Sequence, residues 1–99
     1  MTYIDPTEVS ADNYKTLWED GNRRFVEMVL KAGESDTEHS HPDEVVYFVT
    51  GEKVRIYAEG ADNMEAELPD GFVMHHEAWT HRVENIGATE VRVIIFETK

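Results

Sequence analysis

The chain has 99 residues, no cysteine and a formal net charge of −12. That length bounds it to one domain with one modest core, the missing thiols exclude a disulfide framework and a cysteine nucleophile, and so acidic a balance excludes nucleic acid and anionic membrane surfaces as partners, since both call for clustered Lys and Arg. The composition, 40% hydrophobic and 10% aromatic, is that of a folded protein; with no apolar run near the roughly 18 residues of a membrane span and no signal-peptide pattern in Met1–Pro6, a soluble cytoplasmic protein is expected.

Residues 1–13 carry little pattern and are expected to form an N-terminal arm, in which Asp5-Pro6-Thr7-Glu8 suits a short helical turn. Residues 14–99 form the single remaining domain. Tyr14 to Trp18 and Phe25 to Leu30 are predicted strands, and Asp20-Gly21-Asn22 between them makes a hairpin. On the second strand Val26, Met28 and Leu30 share an apolar face that should meet the core. Ala32 to Glu38 is a polar loop. The segment His39-Ser40-His41-Pro42-Asp43-Glu44 then runs into an apolar, β-branched stretch closed by Gly51.

Further strands are predicted at Glu52 to Tyr57, Met64 to Leu68, Phe72 to His75, His81 to Asn85 and Val91 to Glu97. Turn residues separate them at Glu59–Asn63, Pro69-Asp70-Gly71 and Ile86–Thr89. Short strands with turns about every 8–12 residues, and no helical periodicity, mean an all-β sandwich or barrel.

The chemistry concentrates in the histidines. On a strand, His39 and His41 point the same way, and two imidazoles beside the Glu44 carboxylate make half of a first-row metal site. A third imidazole is available late in the chain, at His81. His75 and His76 are adjacent and would face opposite sides of a strand, so one can line a cavity as a proton-transfer group while the other meets solvent. Arg55 shares a face with Lys53 and Tyr57; on a cavity wall it would hold a substrate carboxylate in a bidentate contact, and otherwise it faces water. Asn85 lies two strand steps from His81, as a partner to a ligand imidazole or bonded to a turn. Phe48 and Trp79 are candidates for the substrate pocket, Phe48 as wall and Trp79 as gate near the mouth. Neither a Gly-x-Ser-x-Gly elbow nor a Gly-rich phosphate loop occurs.

Two segments together resemble the cupin superfamily, small double-sheet jelly rolls. Gly33, five residues on His39 and His41, then Glu44 and, after six residues, Gly51 are similar to the first cupin motif, with the link from His41 to Glu44 one residue short. Gly71, His81 and Asn85 are similar to the ends of the second, although Glu77 and Trp79 stand where Pro and Gly would be expected. The resemblance implies a cupin-type double-stranded jelly-roll β-barrel with His39, His41, Glu44 and His81 as ligands of a divalent metal ion (Fe, Mn, Ni, Co or Zn). The shortened link leaves two placements for Glu44, on the strand beside the imidazoles or swung away from them. The expected function is a small-molecule enzyme of dioxygenase type, with a non-catalytic metal- or ligand-binding cupin as the alternative, and the expected assembly is a homodimer.

Overall fold

The computed structural model describes residues 3–99. A one-turn helix α1 (Pro6–Val9) precedes nine strands: β1 (Tyr14–Glu19), β2 (Arg23–Leu30), β3 (His39–His41), β4 (Asp43–Thr50), β5 (Lys53–Ala58), β6 (Met64–Glu67), β7 (Val73–His76), β8 (Trp79–Asn85) and β9 (Val91–Thr98). They form two antiparallel sheets, one of five strands in the order β1-β2-β9-β4-β7 and one of four in the order β3-β8-β5-β6. This is the all-β double-sheet jelly roll, its core pressed between the inner faces. Among the described residues no helix is long and apolar enough to cross a membrane.

Strand alternation decides what each wall contributes. In the five-stranded sheet Val26, Ile95 and Val46 lie in one cross-strand row and Met28, Val93 and Phe48 in the next, and all six are buried. Completely burying one such side chain stabilises the fold by about 1.5–3 kcal/mol. The inward row at the other end is polar: Arg24 opposite Glu97, Glu97 opposite Glu44, and Glu44 opposite His76. One end of the barrel is therefore a dry floor and the other a lined mouth.

The segment from His39 to Gly51 carries two strands rather than one. Pro42 has no N–H to give a ladder, and the chain changes sheets there: β3 pairs with β8, whereas β4 pairs with β7 and β9. The histidines and Glu44 consequently sit on opposite walls. Gly51 closes β4 where a Cβ would collide with the Leu68 carbonyl, so only glycine permits this approach.

The first stretch carries the helical turn its sequence suits, with Asp5 as N-cap accepting from the Thr7 N–H at 2.9 Å. Several hydrogen bonds tie it to the barrel. The Ser40 N–H donates to the Ile4 carbonyl at 2.6 Å, and Arg24 Nη1 reaches both Asp5 oxygens at 3.1 and 3.2 Å.

Candidate metal centre

Antiparallel register places His39 directly opposite His81, with His41 two residues along the same strand opposite Trp79. The three imidazoles meet inside the barrel. Ring centroids are 4.7 Å apart for His39–His41 and His39–His81, and 5.3 Å for His41–His81. One nitrogen from each ring lies within 4.8 Å of the others, and all three residues are buried. A buried three-histidine cluster is thus a property of this fold.

The hydrogen bonds fix which nitrogen each ring offers. A carbonyl can only accept, so His39 Nδ1–H donates to the Thr37 carbonyl (2.7 Å), leaving a lone pair on Nε2. His41 Nδ1 faces the Glu97 carboxylate at 2.5 Å, which likewise leaves Nε2 for the cluster. Neither nitrogen of His81 has a hydrogen-bond partner. A buried unsatisfied polar atom costs about 1–3 kcal/mol, so this ring is placed for a partner that is neither protein nor ladder. Burial and, after it, the His41 ring hold His39 down at about 4, and burial with the rings of His39, His41 and His76 holds His81 well below the usual imidazole range. Neutral rings with free lone pairs are what a metal ion requires, and the three residues fit a first-row divalent ion.

The Glu44 carboxylate lies outside this cluster. Because Pro42 sends β4 to the facing sheet, Glu44 enters the cavity from the other wall, where its Oε2 accepts the Trp79 indole N–H at 2.6 Å. Burial raises its pKa, opposed in part by His41 and the indole hydrogen bond. Trp79 in turn stacks on His76, 3.5 Å between centroids and 18° between planes, and lies 4.0 Å from the His81 ring.

Four other site candidates fall elsewhere. His75 points outward and faces Asp43 at 3.0 Å on the surface, because β7 puts its neighbour His76 on the inner face. His76 supports Trp79 from the mouth and donates from Nδ1 to the Glu77 carbonyl at 2.6 Å, so it backs the wall without lining the cavity. Arg55 belongs to the outer face of β5, paired with Glu65 at 2.7 Å; it is Val54 and Ile56, its neighbours on either side, that line the interior. Asn85 is fully buried but serves a turn, donating to the carbonyls of Leu30 and Thr89 and accepting from the Gly87 N–H.

Phe48 and Trp79 do line the cavity, which has a volume of ≈ 50 Å³. Its polar groups are Tyr14, His41, Glu44 and His81, and the rest of the wall is aliphatic or aromatic, including Met28, Val46, Leu68 and Ile95.

Four residues the sequence reading passed over complete the site. Glu97 bridges His41 and Arg24, the latter at 2.8 Å. Burial works to raise the Glu97 pKa, but His41 and Arg24 outweigh it and hold the carboxyl below its usual range. Tyr14 Oη lies 3.0 Å from His39 Nε2 and 2.8 Å from Asp36 Oδ2, and Asp36 is raised to about 6 by burial. The signal for Glu97 and Arg24 was period-two alternation: Val91, Val93, Ile95 and Glu97 share a face, as do Arg24, Val26, Met28 and Leu30.

No protein-family profile matches the chain, and no curated protein matches it either. Solved structures do. A cupin domain from Bordetella pertussis superposes with a TM-score of 0.79 at 19% identity, covering 100% of this chain and 98% of that one. An RmlC-like cupin family protein with a double-stranded β-helix fold, from Methanocaldococcus jannaschii, gives 0.67 at 13% identity over 86% and 77% of the two chains. A cupin-like protein from Thermotoga maritima gives 0.66 at 22% identity over 90% and 74%. Two antiparallel sheets closing on a buried histidine cluster, in a chain of which 86–100% overlays these proteins, give it the cupin fold.

Proposed function

We propose that this protein is a metal-dependent enzyme of dioxygenase type acting on a small, largely apolar molecule, with His39, His41 and His81 holding a divalent first-row ion. The observation that carries the reading is the buried His81 ring, unpartnered at both nitrogens and within reach of the other two imidazoles. A bound ion would supply Lewis acidity and coordination positions left open by three protein ligands. The chain supplies the rest. Glu97 and the Thr37 carbonyl set the tautomers of His41 and His39, the aliphatic floor keeps bulk water out, and Glu44 offers a buried carboxylate that can accept a proton from a bound molecule.

A second reading, a non-catalytic cupin, is favoured by one observation: ≈ 50 Å³ is small. It is about a third of the ~150 Å³ cavity that holds benzene in a protein interior. A substrate larger than a few atoms needs Trp79 to move. Metal analysis of unsupplemented protein, followed by oxygen uptake with catechols, β-diketones and thiols, separates the two. Redox-active metal at one per chain with uptake supports the enzyme; stoichiometric zinc without uptake supports the alternative. No metal bound even after supplementation overturns the enzyme and leaves of the second reading only a ligand-binding cupin without metal.

The assembly we favour is a homodimer through the outer face of the five-stranded sheet. Trp18, Phe25, Phe96 and Val45 form one outward row, and Ile94, Tyr47 and Val73 part of the next. The charges on this face are Lys15, Arg23 and Arg92 against Glu27 and Asp43, nearly balanced in a chain with 9 basic and 21 acidic residues. Two copies meet here without the like-charge repulsion that acts between their other faces.

A further inference from the structure

We infer that Tyr14 is a fourth protein donor of the metal centre, an oxygen beside three ring nitrogens; the inference rests on the three-histidine reading above. Tyr14 opens β1, on the wall facing the histidines, and is 3% exposed. The Thr37 carbonyl occupies His39 Nδ1, so Nε2 is the atom that would face an ion, and Tyr14 Oη lies 3.0 Å from it. Two ligands at the ~2.1 Å bond length of a first-row ion, placed at right angles, lie about 3 Å apart. The phenol oxygen therefore already stands at the separation of a ligand adjacent to His39.

The second partner of the phenol supports this role. Tyr14 O–H donates to Asp36 Oδ2 at 2.8 Å, while Asp36 Oδ1 is pinned by the Val83 N–H at 2.7 Å. The proton points away from the histidines and an oxygen lone pair remains for the His39 side. Were a metal ion bound, the phenol would lose its O–H proton to the Asp36 carboxylate and bind through the oxygen as phenolate. Asp36 is then a positioning residue that acts through Tyr14. Tyr14 also lines the cavity with His41 and His81, so the donor set would be three neutral nitrogens and one hard, anionic oxygen, a combination suited to oxidised first-row ions.

Cu(II) titration into the metal-free full-length chain tests this. Wild type should bind one equivalent with a visible phenolate-to-copper charge-transfer band. Tyr14→Phe, which keeps the ring and its packing, should bind one equivalent without the band and about 10–100-fold more weakly; Tyr3, Tyr47 and Tyr57 remain in that variant, so loss of the band assigns it. Asp36→Asn retains Tyr14 and should bind one equivalent with the band displaced in wavelength, because Asp36 is hydrogen-bonded to Tyr14, which keeps the inference testable if Tyr14→Phe fails to fold. Stoichiometric binding to wild type with no band, or a band that survives Tyr14→Phe, overturns the role of Tyr14 and leaves the three-histidine site standing. Undiminished binding and band in His81→Leu would place the ion elsewhere and overturn both.

Discussion

Glu97→Gln tests the part of the site that the five-stranded sheet supplies. The carboxylate accepts two charge-assisted hydrogen bonds, from Arg24 Nε at 2.8 Å and His41 Nδ1 at 2.5 Å, with its side chain 1% exposed. Glutamine is nearly the same size but has one acceptor oxygen. If that oxygen serves Arg24, the amide N–H groups face His41, and the imidazole must flip to the tautomer that puts its proton on Nε2, toward the cluster. Removing one partner of a buried ion pair costs about 3–5 kcal/mol. Asp5 still reaches Arg24 at 3.1 Å, which sets the expectation at the lower end, about 3 kcal/mol in urea unfolding of the metal-free protein. Metal affinity, read by Co(II) titration, should fall about 10–100-fold through the wrong tautomer. The Glu97 pKa is lower folded than unfolded, so its stabilisation is present above the unfolded carboxylate range and disappears as pH falls through the folded value. The gap between wild type and variant should accordingly close on acidification. A variant within 0.5 kcal/mol of wild type (about the scatter of a surface substitution), with unchanged Co(II) affinity, would refute the claim that Glu97 positions His41.

Further outcomes follow from the same geometry. Trp79→Ala removes the indole that donates to Glu44 and covers His81, and should admit ligands that the ≈ 50 Å³ cavity excludes; equal affinity of both proteins for imidazole and for larger phenylimidazoles would contradict a gate. In metal-free protein the neutral His39 and His81 rings make stability fall as pH drops below about 6.5, where unfolded imidazoles take up protons, while Asp36, raised to about 6, works in the opposite direction. Asp36→Asn should therefore steepen the loss between pH 7 and 5 by about 1 kcal/mol in urea melts, and an unchanged slope would count against it. Phe25→Glu, in the middle of the balanced outer face, should convert a dimer to monomers by light scattering with the melting temperature of metal-free protein little changed.

Much of this fold is legible in the chain because strand alternation and turn chemistry agree. Val26, Met28 and Leu30 are buried as their spacing requires, and the Asp20-Gly21-Asn22 turn joins β1 to β2 in the predicted hairpin. The three imidazoles are legible for the same reason, since His39 and His41 share a face and His81 begins an alternating run through Val83 to Asn85. What local pattern does not carry is the identity of the facing wall. The segment from His39 to Gly51 looks like one strand until Pro42 is weighed as a break, and that break decides that Glu44 meets Trp79 rather than the histidines. Arg55 and His75 fail by parity alone: each sits one residue from an inward position, and a one-residue change in phase exchanges cavity for solvent. Glu97 and Tyr14 lie 58 and 25 positions from His39 in a chain of 99 residues, so nothing short of the closed barrel brings them together.

The same distribution explains why the site is a burden to the fold without an ion. His81 buries a donor and an acceptor that no protein group satisfies, and each costs about 1–3 kcal/mol. A sequence selected for stability alone would place an aliphatic residue there. His81→Leu, close in volume, should therefore raise the stability of the metal-free protein by about 1–3 kcal/mol while removing the gain that added Co(II) or Zn(II) gives wild type. The two effects have opposite signs and are read in the same urea titration with and without metal. A leucine variant less stable than metal-free wild type would mean that the ring is satisfied by the protein itself, and the reason for assigning an ion to this position would be gone.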